Sequence, residues 1–154
     1  MGFRRRGREL ALQALYQLEI TGDHTDATVQ AFVRHFSESE ECQAFALKLV
    51  EGVLERADEV NALISAATEN WRIERLSKVD ANVLRLASFE LVACPDVPVS
   101  VVINEAIEIA RRYGSEESAV FVNGILDAIA ERTGAKQREA NAAEDGRALS
   151  TRGD

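Results

Sequence analysis

The chain has 154 residues, 46% of them hydrophobic, and carries 18 Lys+Arg against 26 Asp+Glu for a formal net charge of −8. That is enough apolar material for one globular domain with a sizeable core, and the acidic balance argues against a general affinity for polyanions. Cys42 and Cys94 each stand alone, with no second Cys and no His at metal-ligand spacing, which is the pattern of reduced thiols in a cytoplasmic protein.

The first predicted helix runs from Arg5 to about Ile20, with Leu10, Ala11, Ala14, Leu15 and Leu18 on one stripe. Four of the 18 basic residues and one of the 26 acidic residues fall in the first ten positions, so a head of +3 sits on a body of −11. Glu9, Gln13, Gln17 and Glu19 interrupt the apolar run that a secretory signal would need. Arg6 stands where N-myristoylation requires Ser or Thr, and no run reaches the ~18 apolar residues of a membrane span. A cytoplasmic location without a membrane partner is therefore expected.

The break "TGDHTD" supplies Gly22 as a stop and Thr25 or Asp26 as the next N-cap. A short helix follows near Ala27–Phe36. Ser37 or Ser39 then caps one long helical stretch, Glu40 to about Thr68. Trp71, Ile73 and Leu76 mark a packed connection. Lys78–Ala93 is apolar on nearly all sides, as a central helix is. "CPDVP" ends it, because each proline biases its predecessor away from the helical region. Val101–Tyr113 is amphipathic and closes at Gly114, and Ser115 caps the last helix. After Thr133 the chain is polar and almost free of large apolar residues, which reads as a mobile tail. The expected architecture is all-α, about seven helices in two packed halves, with a single domain over residues 1–132 and a tail over 133–154.

Opposite the apolar stripe of the first helix, a projection at 100° per residue places Arg5, Glu9, Leu12, Gln13 and Tyr16. Guanidinium, amide and phenol groups on one face can hold a nucleic acid strand by phosphate pairing, edge reading and stacking. The alternative is an arginine cluster that is a solvated, frayed terminus. Arginines at a helix N-terminus oppose its dipole, a local cost that an anion would remove. In the last helix Phe121 falls near the solvent border. Gly124 lies inside that helix at about 1 kcal/mol relative to Ala, which a buried helix contact would explain. Glu90 falls among core positions, where a carboxylate hydrogen-bonded within the domain is the expected reading rather than a catalytic one. His24 and His35 are the only histidines, and no phosphate loop, zinc spacing or nucleophile elbow appears. The expectation is a protein that is not an enzyme and uses no cofactor.

Three blocks, "RRRGRELALQALYQLEI", "LSKVDANVLRLASFEL" and "VPVSVVINEAIEIARRYGSEESAVFVNGILDAI", resemble the NusB family of transcription antitermination factors over roughly residues 4–130. The resemblance implies a seven-helix fold and binding to the boxA element of ribosomal RNA leader transcripts. It also implies a partner, NusE, a small-subunit ribosomal protein, and entry into the transcription elongation complex. Matched by motif, Arg4, Arg5, Arg6, Arg8, Gln13, Arg85 and Phe121 correspond to RNA contacts, and Tyr16 and Asp80 to the NusE surface. Val120 departs from the pattern, since some relatives have Lys there. Two other readings remain: a protein-only helical adaptor or homodimer, and a regulatory RNA-binding module for a ribosomal RNA methyltransferase.

Overall fold

A computed structural model describes residues 2–69 and 72–152, without the side chains of 148–152; Trp71 lies outside the described residues. Helix α1 (Phe3–Thr21) stops where Gly22 turns left-handed at φ 72°. Thr25 accepts a hydrogen bond from the Thr28 amide and opens α2 (Asp26–Phe36), and Ser39 does the same from Cys42 to open α3 (Glu40–Glu55). The single helix expected from Glu40 to Thr68 is in fact two. The chain breaks at Arg56, with φ −107° and ψ 26°, before α4 (Ala57–Ala67). No Gly or Pro marks the break. It redirects Val60 and Ile64, both fully buried, onto α5 and α7 instead of letting a straight helix project into solvent.

A 3₁₀ turn at Ile73–Arg75 leads to α5 (Lys78–Ala93), opened by Ser77, whose hydroxyl accepts from the Asp80 amide. As expected, α5 is central. It packs on α1, α3, α4, α6 and α7, and Leu84, Ala87 and Ser88 are all buried. After the "CPDVP" elbow come α6 (Val99–Tyr113) and α7 (Glu116–Arg132), the latter capped by Ser115. The two halves share one hydrophobic core running from Leu10 of α1 to Ala130 of α7.

Two glycines set the closest approaches. A Cβ on Gly7 would stand 2.6 Å from Cδ1 of Phe45, and one on Gly52 would stand 2.1 Å from Cζ of Phe89. They let α1 lie directly on α3, and α3 on α5.

The segment expected as a mobile tail forms a further helix, α8 (Ala135–Arg152), entered through Gly134 at φ 72°. Its Ala, Glu, Lys, Gln and Arg residues favour a helix. Their lack of large apolar side chains bears on burial rather than on backbone conformation. The architecture is all-α, with eight α-helices among the described residues. No helix among these residues is long and apolar enough to cross a membrane.

Candidate nucleic-acid interface

The outward side of α1 is narrower than its projection implies. Gln13, Tyr16, Gln17 and Ile20 are exposed, but Leu12 and Glu9, expected on the same face, are buried. The reason is α6. The Tyr113 hydroxyl donates to Glu9 Oε2 at 2.6 Å, and Arg112 Nη1 donates to Glu9 Oε1 at 3.2 Å. Burial, then the Glu9 hydrogen bond, push the Tyr113 phenol above its usual range. Side chains of α6 thus bridge to α1 on the side away from α3.

Arg8 does not join the surface. Its guanidinium reaches Glu90 of α5 with Nε 3.0 Å from Oε2 and Nη2 2.8 Å from Oε1, and both side chains are at most 5% exposed. The Phe45 ring lies against it, 5.3 Å from guanidinium carbon to ring centroid. The expectation that Arg8 contacts RNA is therefore corrected. At 100° per residue Arg8 falls within 20° of Leu15, inside the apolar stripe. That phase, together with a carboxylate at a core position of α5, is the signal that identifies the pair.

The remaining arginines stay at the N-terminal end of α1. Arg4 and Arg6 are exposed and Arg5 is half-buried. Arg5 makes a two-pronged contact with Glu105 of α6, Nε to Oε2 at 2.7 Å and Nη2 to Oε1 at 3.0 Å, and this hydrogen-bonded pairing raises its pKa further. Arg6 pairs with Glu38, in the turn before α3. Each of these pairs joins residues more than thirty positions apart, so no local pattern reveals Glu105 or Glu38. Gln13 lies seven residues past Arg6 and therefore on the same side of the helix, about 10 Å along its axis.

Arg85 is elsewhere. Its Nε donates to Asn61 Oδ1 at 3.1 Å, its Nη1 to Asn82 Oδ1 at 2.9 Å, and Glu19 lies 3.7 Å away. Glu19 is about 21 Å along α1 from Arg5, so the structure does not bring Arg85 to the arginine head. Arg85 instead lines a cleft of about 700 Å³ with Glu19, His24, Glu51, Glu55 and Asn61. Tyr16 and Asp80 belong to the same end. Glu19, one turn past Tyr16, accepts from Asn82, two residues past Asp80, at 3.2 Å. Asp80 also holds one carboxylate oxygen buried without a hydrogen-bond partner.

Phe121 is half-buried in the second turn of α7 and packs on the core, while its neighbour Val120 is 72% exposed. Gly124 contradicts its expectation of a buried helix contact. It is exposed, and nothing lies within 4 Å of where its Cβ would be.

The family model described as the NusB family matches residues 5–131. The transcription antitermination protein NusB of Myxococcus xanthus is 49% identical over 137 residues, covering 84% of this chain and 96% of that protein. Its counterpart from Sorangium cellulosum is 47% identical, covering 90% and 99%. Among solved structures, T. maritima NusB superimposes with a TM-score of 0.75 at 41% identity, over 83% of this chain and 90% of that one. A chain from the crystal structure of antitermination factors NusB and NusE in complex with dsRNA gives a TM-score of 0.77 at 26% identity, over 86% and 98%.

Proposed function

This chain belongs to the NusB family, and from that premise we propose that it is a non-enzymatic, RNA-binding transcription antitermination factor of the cytoplasm. It binds boxA of ribosomal RNA leader transcripts together with NusE and enters the elongation complex as that pair. Arg4, Arg5 and Arg6 grip the phosphates, Gln13 reads a base edge and Phe121 offers a ring. Arg8 is reserved for the interior.

One observation carries the reading. On a chain of net charge −8, three adjacent guanidinium groups stand at one corner, and Arg5 and Arg6 are held there by carboxylates that an RNA phosphate can displace. The acidic body repels RNA over most of the remaining surface, which makes that edge the principal contact. Tyr16 and Asp80 face the protein partner at the other end of α1, beside a cleft carrying Glu19, Glu51 and Glu55, a charge pattern that suits a basic protein. Arg85, in the same cleft, is a second RNA contact separate from the head.

Titrating a boxA-containing RNA oligomer, with and without NusE, against a scrambled oligomer tests the reading. Preference for boxA that strengthens with NusE is expected. Equal affinity for both oligomers would overturn boxA recognition, and none for either would leave the protein-only adaptor in its place.

A further inference from the structure

The family match ends at residue 131, and α8 begins just beyond it, over the elbow between α5 and α6. The two helix ends at that elbow lack their own electrostatic complements. The last turn of α5 has no basic residue, and α6 starts at Pro98 with no side-chain cap and no acidic residue in its first turn. A helix C-terminus favours a cation and an N-terminus an anion.

Two consecutive residues of α8 supply both. Arg138 Nη2 donates to the Leu91 carbonyl of α5 at 3.0 Å, and Glu139 Oε2 accepts from the Val99 amide of α6 at 3.2 Å. Ala135, 5% exposed, fixes the start of α8 in the core. Beneath this turn lies a cavity of about 130 Å³ bordered by Glu90, Cys94 and Pro95. From Lys136 to Arg147 every α8 residue is exposed, so α8 is held by Ala135 and by the two hydrogen bonds of Arg138 and Glu139.

We propose that α8 is a brace for the α5–α6 elbow, in which Arg138 closes the end of α5 and Glu139 opens α6. The brace sets the register of α6, and α6 carries three groups that bridge to α1: Glu105 to Arg5, and Arg112 and Tyr113 to Glu9. Arg138 and Glu139 are positioning residues for the arginine edge, although neither reaches it. This inference is independent of which RNA the protein binds.

The test exchanges the two charges in the full chain. The variant Arg138→Glu/Glu139→Arg keeps composition and net charge, but turns a like charge towards each helix end. Expected are a Tm lower by roughly 4–8 °C and amide exchange at Val99 faster by about tenfold. In a Tyr16→Phe background, where Tyr113 is the sole tyrosine, its absorbance titration at 295 nm should also move down towards pH 10 as the Glu9 contact loosens. Glu139→Gln keeps an acceptor oxygen and should retain most of the Val99 protection, whereas Glu139→Ala should not. Wild-type Tm and Val99 exchange in the exchanged variant would overturn the brace and leave α8 a solvated extension. A lowered Tm with an unmoved Tyr113 titration would overturn its hold on the register of α6.

Discussion

Arg8 and Glu90 face each other in the interior across 82 residues of sequence, with guanidinium and carboxylate joined at two points and almost no solvent contact. Such a pair contributes little compared with apolar side chains of the same volume, but removing one partner strands a buried charge. Arg8→Ala or Glu90→Ala should each lose about 3–5 kcal/mol in urea unfolding, while Arg8→Met/Glu90→Leu should stay within about 1–2 kcal/mol of the parent. Single variants as stable as the parent would show that water enters the site.

The same double variant separates interior from surface charge in RNA binding. Replacing Arg4, Arg5 and Arg6 with Ala should reduce the slope of log affinity against log salt by about 2, at roughly 0.7 for each phosphate lost. Arg8→Met/Glu90→Leu should leave the slope where it was. Glu105→Gln removes the carboxylate that competes for Arg5 and should tighten RNA binding by roughly two- to fivefold, the range of a partly exposed ion pair. Weaker binding would mean that Glu105 aims Arg5 rather than restraining it.

What the sequence makes legible here is what is decided locally. Thr25, Ser39 and Ser115 cap helices because a hydroxyl reaches an amide three residues on, and Gly22 stops α1 by taking a positive φ. The apolar envelope of Lys78–Ala93 announces a central helix without reference to its neighbours. The break at Arg56 is invisible, because Val53 and Val60 keep helical phase across it and only the position of α5 and α7 bends the chain. The candidate interface divides the same way. The arginine head is read directly, but which arginine turns inward, and which carboxylates restrain the others, depends on pairs brought together by packing.

The glycines give a stability test in both directions. Gly124 sits mid-helix, exposed and unopposed, so Gly124→Ala should gain about 0.5–1 kcal/mol from helix propensity alone. Gly52→Ala gains the same propensity but drives its methyl into the buried Phe89 ring, and a net loss of about 1–3 kcal/mol is expected. Thermal melts of the two variants should move in opposite directions. If Gly52→Ala melts no lower than the parent, α3 and α5 separate more easily than their packing suggests.

Tyr113 links the α1–α6 bridge to pH. Its phenol is held above the usual value of about 10, first by burial and then by the hydrogen bond to Glu9. Unfolded, it titrates near 10, so above that pH the unfolded chain releases its proton more readily than the folded one. The stabilisation is therefore complete below pH 10 and is lost as pH rises through the folded value. Burial also raises the Cys94 thiol, whose share fades from the ordinary thiol range upward. Stability measured by urea unfolding from pH 8 to 11 should fall in that order. Tyr113→Phe should flatten the later part of the decline and Glu9→Gln should shorten it, because an amide repels phenolate less than a carboxylate does. An alkaline limb identical in Tyr113→Phe and parent would mean that the phenol ionises as freely folded as unfolded, and that the bridge from α6 to α1 is open in solution.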